Sequence, residues 1–188
     1  MSINRSEVRK SALTLLYAIR ENGGKADDFD FDLFWSIAQE KKTDKLRESH
    51  ARAILHTCRA SCDSAELLNT RATALLEAMH GDLTTVTLRD ETEHYNRQNQ
   101  AFEASVSALS YCLNDTRREG TDQLARCISD VLHLAGALVT MANNLLPRFE
   151  DYPASRSLTE PLAAAIRRRV RLLEATAALT HPITLSDS

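Results

Sequence analysis

Apolar side chains recur along this chain at helical spacing from one end to the other, with hardly a stretch that alternates. A first helix is predicted over Ser6–Asn22, with Val8, Ala12, Leu15, Leu16 and Ile19 on one stripe and Gly23-Gly24 as its stop. A second, short helix follows the acids Asp27–Asp32, which suit the positive end of a helix dipole, and carries the bulky Leu33, Phe34, Trp35 and Ile37. A third spans about Asp44–Ser61 with Leu46, Ala53, Ile54 and Thr57 inward. A fourth starts near Ser64, carries Leu67, Leu68, Ala72, Leu75 and Met79, and ends at Gly81. Residues 83–88 have strand propensity without a partner strand and read as a connector. A fifth helix has the cleanest period: Tyr95, Phe102, Val106, Leu109 and Leu113, ending at Asn114-Asp115. Thr121 is placed to cap a sixth, lined by Leu124, Ile128, Val131, Leu132, Ala135, Leu138, Ala142 and Leu145 and stopped by Pro147. After a linker over 148–157, Thr159 and Pro161 open a last helix with Leu162, Ile166, Val170, Leu173 and Ala177 inward. The expected fold is all-α, a compact bundle of about seven helices.

Composition narrows the class. With 43% hydrophobic and 26% charged residues the chain can bury a core, and only 5 Gly and 4 Pro leave too little punctuation for an all-β fold. No apolar run is expected to span a membrane, and the N-terminus lacks an export-type apolar segment. Cys58, Cys62, Cys112 and Cys127 sit in helical stretches without a disulfide framework, so free thiols in a reducing, cytoplasmic setting are expected. The net charge of −3 hides two basic islands. Residues 1–20 carry Arg5, Arg9, Lys10 and Arg20 against Glu7, and residues 156–171 carry five arginines against Glu160.

Catalytic chemistry finds little footing. Glu77-x-x-His80 and Glu91-x-x-His94 have the form of paired di-iron motifs, but fourteen residues and Gly81 separate them, and the bridging glutamates are missing. His56, Cys58 and Cys62 lack a fourth ligand, and buried thiols explain them better. Asp28-x-Asp30-x-Asp32 lacks the glycine and distal glutamate of a calcium loop, so helix-start acids are the simpler reading. His50 lies on a helix face as a phosphorylatable histidine would, with nothing around it to single it out. No phosphate loop or nucleophile elbow occurs. The chain is expected to bind rather than catalyse, with no metal and no cofactor.

Two positions invite a sharper reading. Arg169 falls among Leu162, Ile166 and Leu173 on the apolar stripe of the last helix, and a cation there is expected to pair with a carboxylate from another helix or chain. On the first helix, Arg9, Lys10, Leu13, Tyr17 and Arg20 fall within about 100° of one another. Single-stranded RNA calls for cations along phosphates and a ring on which a base can stack. The competing reading has Tyr17 and Leu13 merely widening the buried face.

At this helix the sequence resembles the NusB family of bacterial transcription antitermination factors. Arg5-x-x-x-Arg9 followed by Ala12-Leu13-x-x-Leu16-Tyr17 is similar to that family's opening helix, although Ser6 and Glu7 interrupt its arginine cluster. Leu109-Ser110-Tyr111-Cys112-Leu113, Ile128-Ser129-Asp130-Val131-Leu132-x-Leu134-Ala135 and Met141-Ala142-Asn143-Asn144-Leu145-Leu146 resemble later family stretches in order. The resemblance implies residues 1–150 as a NusB-like RNA-binding domain, in two subdomains with a boundary near 81–90, and 151–188 as a linker and added helix. It also implies partnership with the ribosomal protein NusE and the RNA polymerase complex on boxA-like nascent RNA. Arg5, Arg9, Lys10, Tyr17 and Arg20 are the expected RNA contacts, with a homodimer left open. The alternative is a helical protein–protein adaptor or signalling bundle without RNA.

Overall fold

The structure is a computed structural model that describes residues 4–21, 23–27, 29–78, 83–152 and 156–180. Among these the chain is all-helical: α1 (Arg5–Glu21), α2 (Phe31–Glu77), α3 (Leu83–Asn114), α4 (Asp122–Glu150) and α5 (Arg156–Ala177). Five helices replace the expected seven because three segments fuse into α2. The polar run Ser61–Ser64 resembles a cap but contains neither Gly nor Pro, and the Ser64 hydroxyl satisfies itself on the Ser61 carbonyl at 2.7 Å. The helix therefore runs on. Residues 83–88, expected as a connector, belong to α3. Met79, Gly81 and His80 lie outside the described residues.

Proline and threonine also depart from expectation. Pro147 lies inside α4, which continues to Glu150 with the Asp151 N–H on the Pro147 carbonyl at 2.9 Å. Thr121 occupies the N-cap position of α4 but makes no side-chain cap. Its hydroxyl accepts from Arg47 at 3.0 Å instead, and the same guanidinium group reaches Asp122 at 3.2 Å. Thr159 is buried within α5 rather than capping it, and the carbonyl of Pro161 accepts from Arg71 at 2.7 Å.

The chain divides into two compact units, Met1–Asp44 and Lys45–Ser188. The larger unit carries the core. Leu88, Tyr95, Phe102 and Leu109 are buried at seven-residue intervals on α3, the repeat that keeps one helical seam turned inward. Around them lie Ile54, Leu68 and Leu75 of α2, Leu124, Val131, Leu138 and Leu145 of α4, and Leu162, Ile166 and Leu173 of α5. By length and composition α4 could cross a membrane, which the sequence reading did not anticipate. Here its apolar residues join this core.

Arg118 closes the α3 end. Its guanidinium donates to the Cys112 and Leu113 carbonyls at 2.9 and 3.2 Å and to Glu48 of α2 at 2.6 Å. Carbonyls in the last turn of a helix run short of helical donors, so one cation caps two of them, beside the Asp115 N–H that reaches Cys112 at 3.4 Å, and ties two helices.

None of the described residues of the smaller unit is buried. Phe29 packs edge-on to Phe31 with centroids 5.1 Å apart, and Phe34 stacks similarly on Trp35 at 5.2 Å. No described residue of α1 is buried. The expected inward stripe is thus corrected: Leu15 and Ile19 are half-buried, Ala12 is exposed, and Val8 and Leu16 are 52% and 63% exposed. Forty-four residues in two helical pieces are too few to close an interior of their own.

Candidate nucleic-acid interface

α1 is held by its ends rather than by a core. Asn4 accepts the Ser6 N–H at 3.0 Å, a side-chain N-cap. At the other end the Gly24 N–H reaches the Ile19 carbonyl at 2.9 Å and the Gly23 N–H reaches Arg20 at 3.2 Å. This Schellman pattern needs a left-handed residue, and Gly23 supplies it with φ 96°. Both caps are local, so α1 keeps its helical register while its sides stay open.

Arg5, Arg9, Lys10, Tyr17 and Arg20 are all exposed, Tyr17 at 61%. The reading in which Tyr17 and Leu13 widen a buried face fails, since Leu13 is 59% exposed. Among the described residues none of the four cations is held in an ion pair. Arg9 and Arg20 stand about 16 Å apart along the axis with Tyr17 between them. Arg5 falls about 40° to the side of the strip on a helical wheel.

The other candidates fare differently. His50 is buried, and its Nε2–H donates to the Leu179 carbonyl, so it is a core histidine rather than a phosphorylatable surface one. Cys58 is buried with its thiol on the Thr176 hydroxyl at 3.9 Å, while His56 faces solvent. Burial pushes the Cys58 thiol up to about 11, with the Thr176 hydrogen bond opposing. Burial also raises Cys62, with Arg169 pulling the other way. Both thiols stay protonated near neutral pH, the state least suited to metal or electrophile. Asp30 accepts the Leu33 N–H at 2.9 Å and so caps α2, as a helix-start acid should. Asp28 and His80 lie outside the described residues.

Arg169 is completely buried, and the expected carboxylate is not its partner. Nε donates to the Tyr95 phenol at 3.3 Å, and one terminal nitrogen donates to Ser61 and Ser64 at 3.1 and 3.2 Å. The other donates to the Asn99 amide oxygen, and Phe102 lies 5.8 Å away. A carboxylate enters one step removed, since Asn99 donates in turn to Glu103 at 3.2 Å. This cation is structural, with its donors turned inward.

A second open surface lies within the larger unit, where α2 faces α3. Arg52, His56 and Arg59 form one wall of a shallow cleft of about 500 Å³, and Ser107, Ser110 and Asn114 line the other. The sequence singled out His56 only as a candidate metal ligand, and Arg52 and Arg59 drew no reading at all. Their only local signal is the i, i+4, i+7 spacing of the three basic side chains. No family model, curated protein or solved structure matches the chain.

Proposed function

We propose that this chain is an RNA-binding transcription antitermination factor, working in the cytoplasm by binding and not by catalysis. It acts with the ribosomal protein NusE and the RNA polymerase complex on a boxA-like segment of nascent ribosomal RNA. The carrying observation is the strip on α1: Arg9, Lys10 and Arg20 exposed without ion pairs around an exposed Tyr17. Cations free of internal partners can neutralise phosphates at no cost in broken ion pairs, and an open phenol face suits a base. On this reading residues 1–150 form a NusB-like domain and 151–188 a linker and added helix. The resemblance of the opening helix to the NusB family supports the boxA and NusE assignments.

One observation favours a second reading, a protein–protein adaptor without RNA. Val8, Leu13, Leu16, Phe31, Leu33, Trp35 and Ile37 of the smaller unit are all exposed large apolar residues, and so many in one short unit suit contact with a protein. The deciding experiment measures affinity for a boxA RNA and a scrambled RNA, each with and without NusE. Preference for boxA that tightens with NusE is the expected result. Equal affinity for both RNAs in the presence of NusE overturns the antitermination reading and leaves the adaptor.

A further inference from the structure

We propose that the cleft between α2 and α3 is a second contact site for single-stranded RNA, in which Arg52 and Arg59 hold phosphates and Tyr111 stacks a base. The proposal rests on the reading that the chain binds RNA and extends it to a surface of the larger unit.

Three features meet there. The first is a row of donors. Arg52, His56 and Arg59 are exposed on one ridge of α2, and Arg59 and His56 have no hydrogen-bond or ion-pair partner among the described residues. Among the described residues Arg52 is tied only to Glu48, at 3.8 Å, and Glu48 already holds Arg118 at 2.6 Å. Seven residues separate the two arginines, about 10 Å along the helix, which matches about three stacked nucleotide steps at ~3.4 Å each. Being arginines, both offer the planar fork that fits phosphate oxygens.

The second feature is the opposite wall and the floor. Ser107, Ser110 and Asn114 of α3 present hydroxyl and amide groups toward the same space, suited to ribose hydroxyls and base edges. Leu55, Val106 and Leu113 also line it, giving apolar surface for a sugar or a base. A site for a small inorganic anion would have no use for that apolar surface.

The third is Tyr111. It is 78% exposed, more than Tyr17 at 61%, and stands on the adjoining hollow that shares Ser107, Ser110 and Asn114 with the cleft. Its neighbours on α3, Leu109 and Cys112, are buried, so the helix turns this ring outward while burying those beside it. Asp115 is the acid lining that hollow, and its Oδ1 is occupied by the Arg117 N–H at 3.0 Å. Cations on one side, an open ring on the other and polar donors between them make up what a single strand requires.

The test titrates the full chain against a short fluorescent single-stranded RNA over a range of salt, comparing cleft variants with α1 variants. Replacing Arg52 and Arg59 together by alanine is expected to lower the salt slope by about 1.4, two phosphates' worth. Tyr111→Ala is expected to weaken binding about tenfold at an unchanged slope. Arg59→Lys keeps the charge and should keep the wild-type salt slope, and Tyr111→Phe keeps the ring and should keep wild-type affinity, so the two separate contact loss from misfolding. If the cleft variants bind like wild type while Arg9→Ala and Lys10→Ala weaken binding, the cleft is overturned and the RNA reading stands. Loss in the cleft variants alone supports the cleft and removes α1. A wild-type chain that binds no single-stranded RNA overturns both.

Discussion

The Nε–H of Arg169 donates to the phenol oxygen of Tyr95 at 3.3 Å, joining α5 to α3 inside the core. Both residues are at most 1% exposed. The guanidinium also reaches Ser61 and Ser64 on α2, so one side chain links three helices through neutral oxygens. A buried charge without a direct counter-ion is costly unless its donors are met, and here Asn99 passes part of the compensation on from Glu103.

Arg169→Ala should therefore cost about 3 kcal/mol, combining a cavity with stranded hydroxyls. The neighbouring Arg168 is exposed, and Arg168→Ala should stay within about 0.5 kcal/mol of wild type. Arg169→Lys should recover only part of the loss, since an ammonium cannot span this set of acceptors with a planar fork. Urea unfolding of the three variants measures this, and equal costs at positions 168 and 169 would refute it.

A second expectation concerns alkaline pH. Burial raises the Cys58 thiol from an ordinary 9.0 to about 11, so the folded state holds its proton more tightly than the unfolded chain. The stability this gives is fully present below pH 9 and is lost as pH rises toward 11, on the order of 2 kcal/mol in all. Tyr95 and Cys127 are raised chiefly by burial too and act with the same sign. Cys58→Ala should flatten the decline between pH 9 and 11 in equilibrium unfolding. An unchanged decline would assign the loss to the other groups.

The core seam on α3 was legible in the sequence because Tyr95, Phe102 and Leu109 repeat on one face whatever packs against them. The length of α2 was not. Ser61–Ser64 reads as a boundary until one sees Ser64 bonding back to Ser61 at 2.7 Å, with Ser61 and Ser64 also accepting from Arg169 on α5. Arg169 itself was legible as an anomaly. Its neutral partners come from residues more than sixty positions away and could not be read locally. The α1 strip was visible on a helical wheel, but its exposure depends on how little chain surrounds it. The cleft joins residues 52–59 to 106–114, a pairing no local pattern reveals.

A third expectation follows from Arg118. Arg118→Ala removes the Glu48 pair and two C-terminal carbonyl caps together, and should cost about 1–3 kcal/mol. Glu48→Gln keeps the caps and should cost about 1 kcal/mol or less. Hydrogen exchange locates the effect: in Arg118→Ala, amides of the last turn of α3 should exchange faster, while those near Phe102 keep their protection. Uniform acceleration along α3 would show that Arg118 acts on the whole fold and not on the helix end.

The functional reading makes its own demand on α1. If Arg9, Lys10 and Arg20 track phosphates, log affinity for single-stranded RNA should fall by roughly 2 per decade of salt from this strip, near 0.7 for each neutralised phosphate. Arg9→Ala and Lys10→Ala should each lower the slope by about 0.7. Tyr17→Ala should leave the slope alone and cost on the order of 1–3 kcal/mol through lost stacking. Because Tyr17 is 61% exposed, its removal should leave thermal melting within about 0.5 kcal/mol of wild type in stability. That separation is the point of the experiment: a contact residue changes affinity without stability, and a core residue changes both. A Tyr17→Ala protein that melts like wild type and still binds RNA with wild-type affinity would remove the ring from the interface. Slopes unmoved by the cation variants would remove the strip.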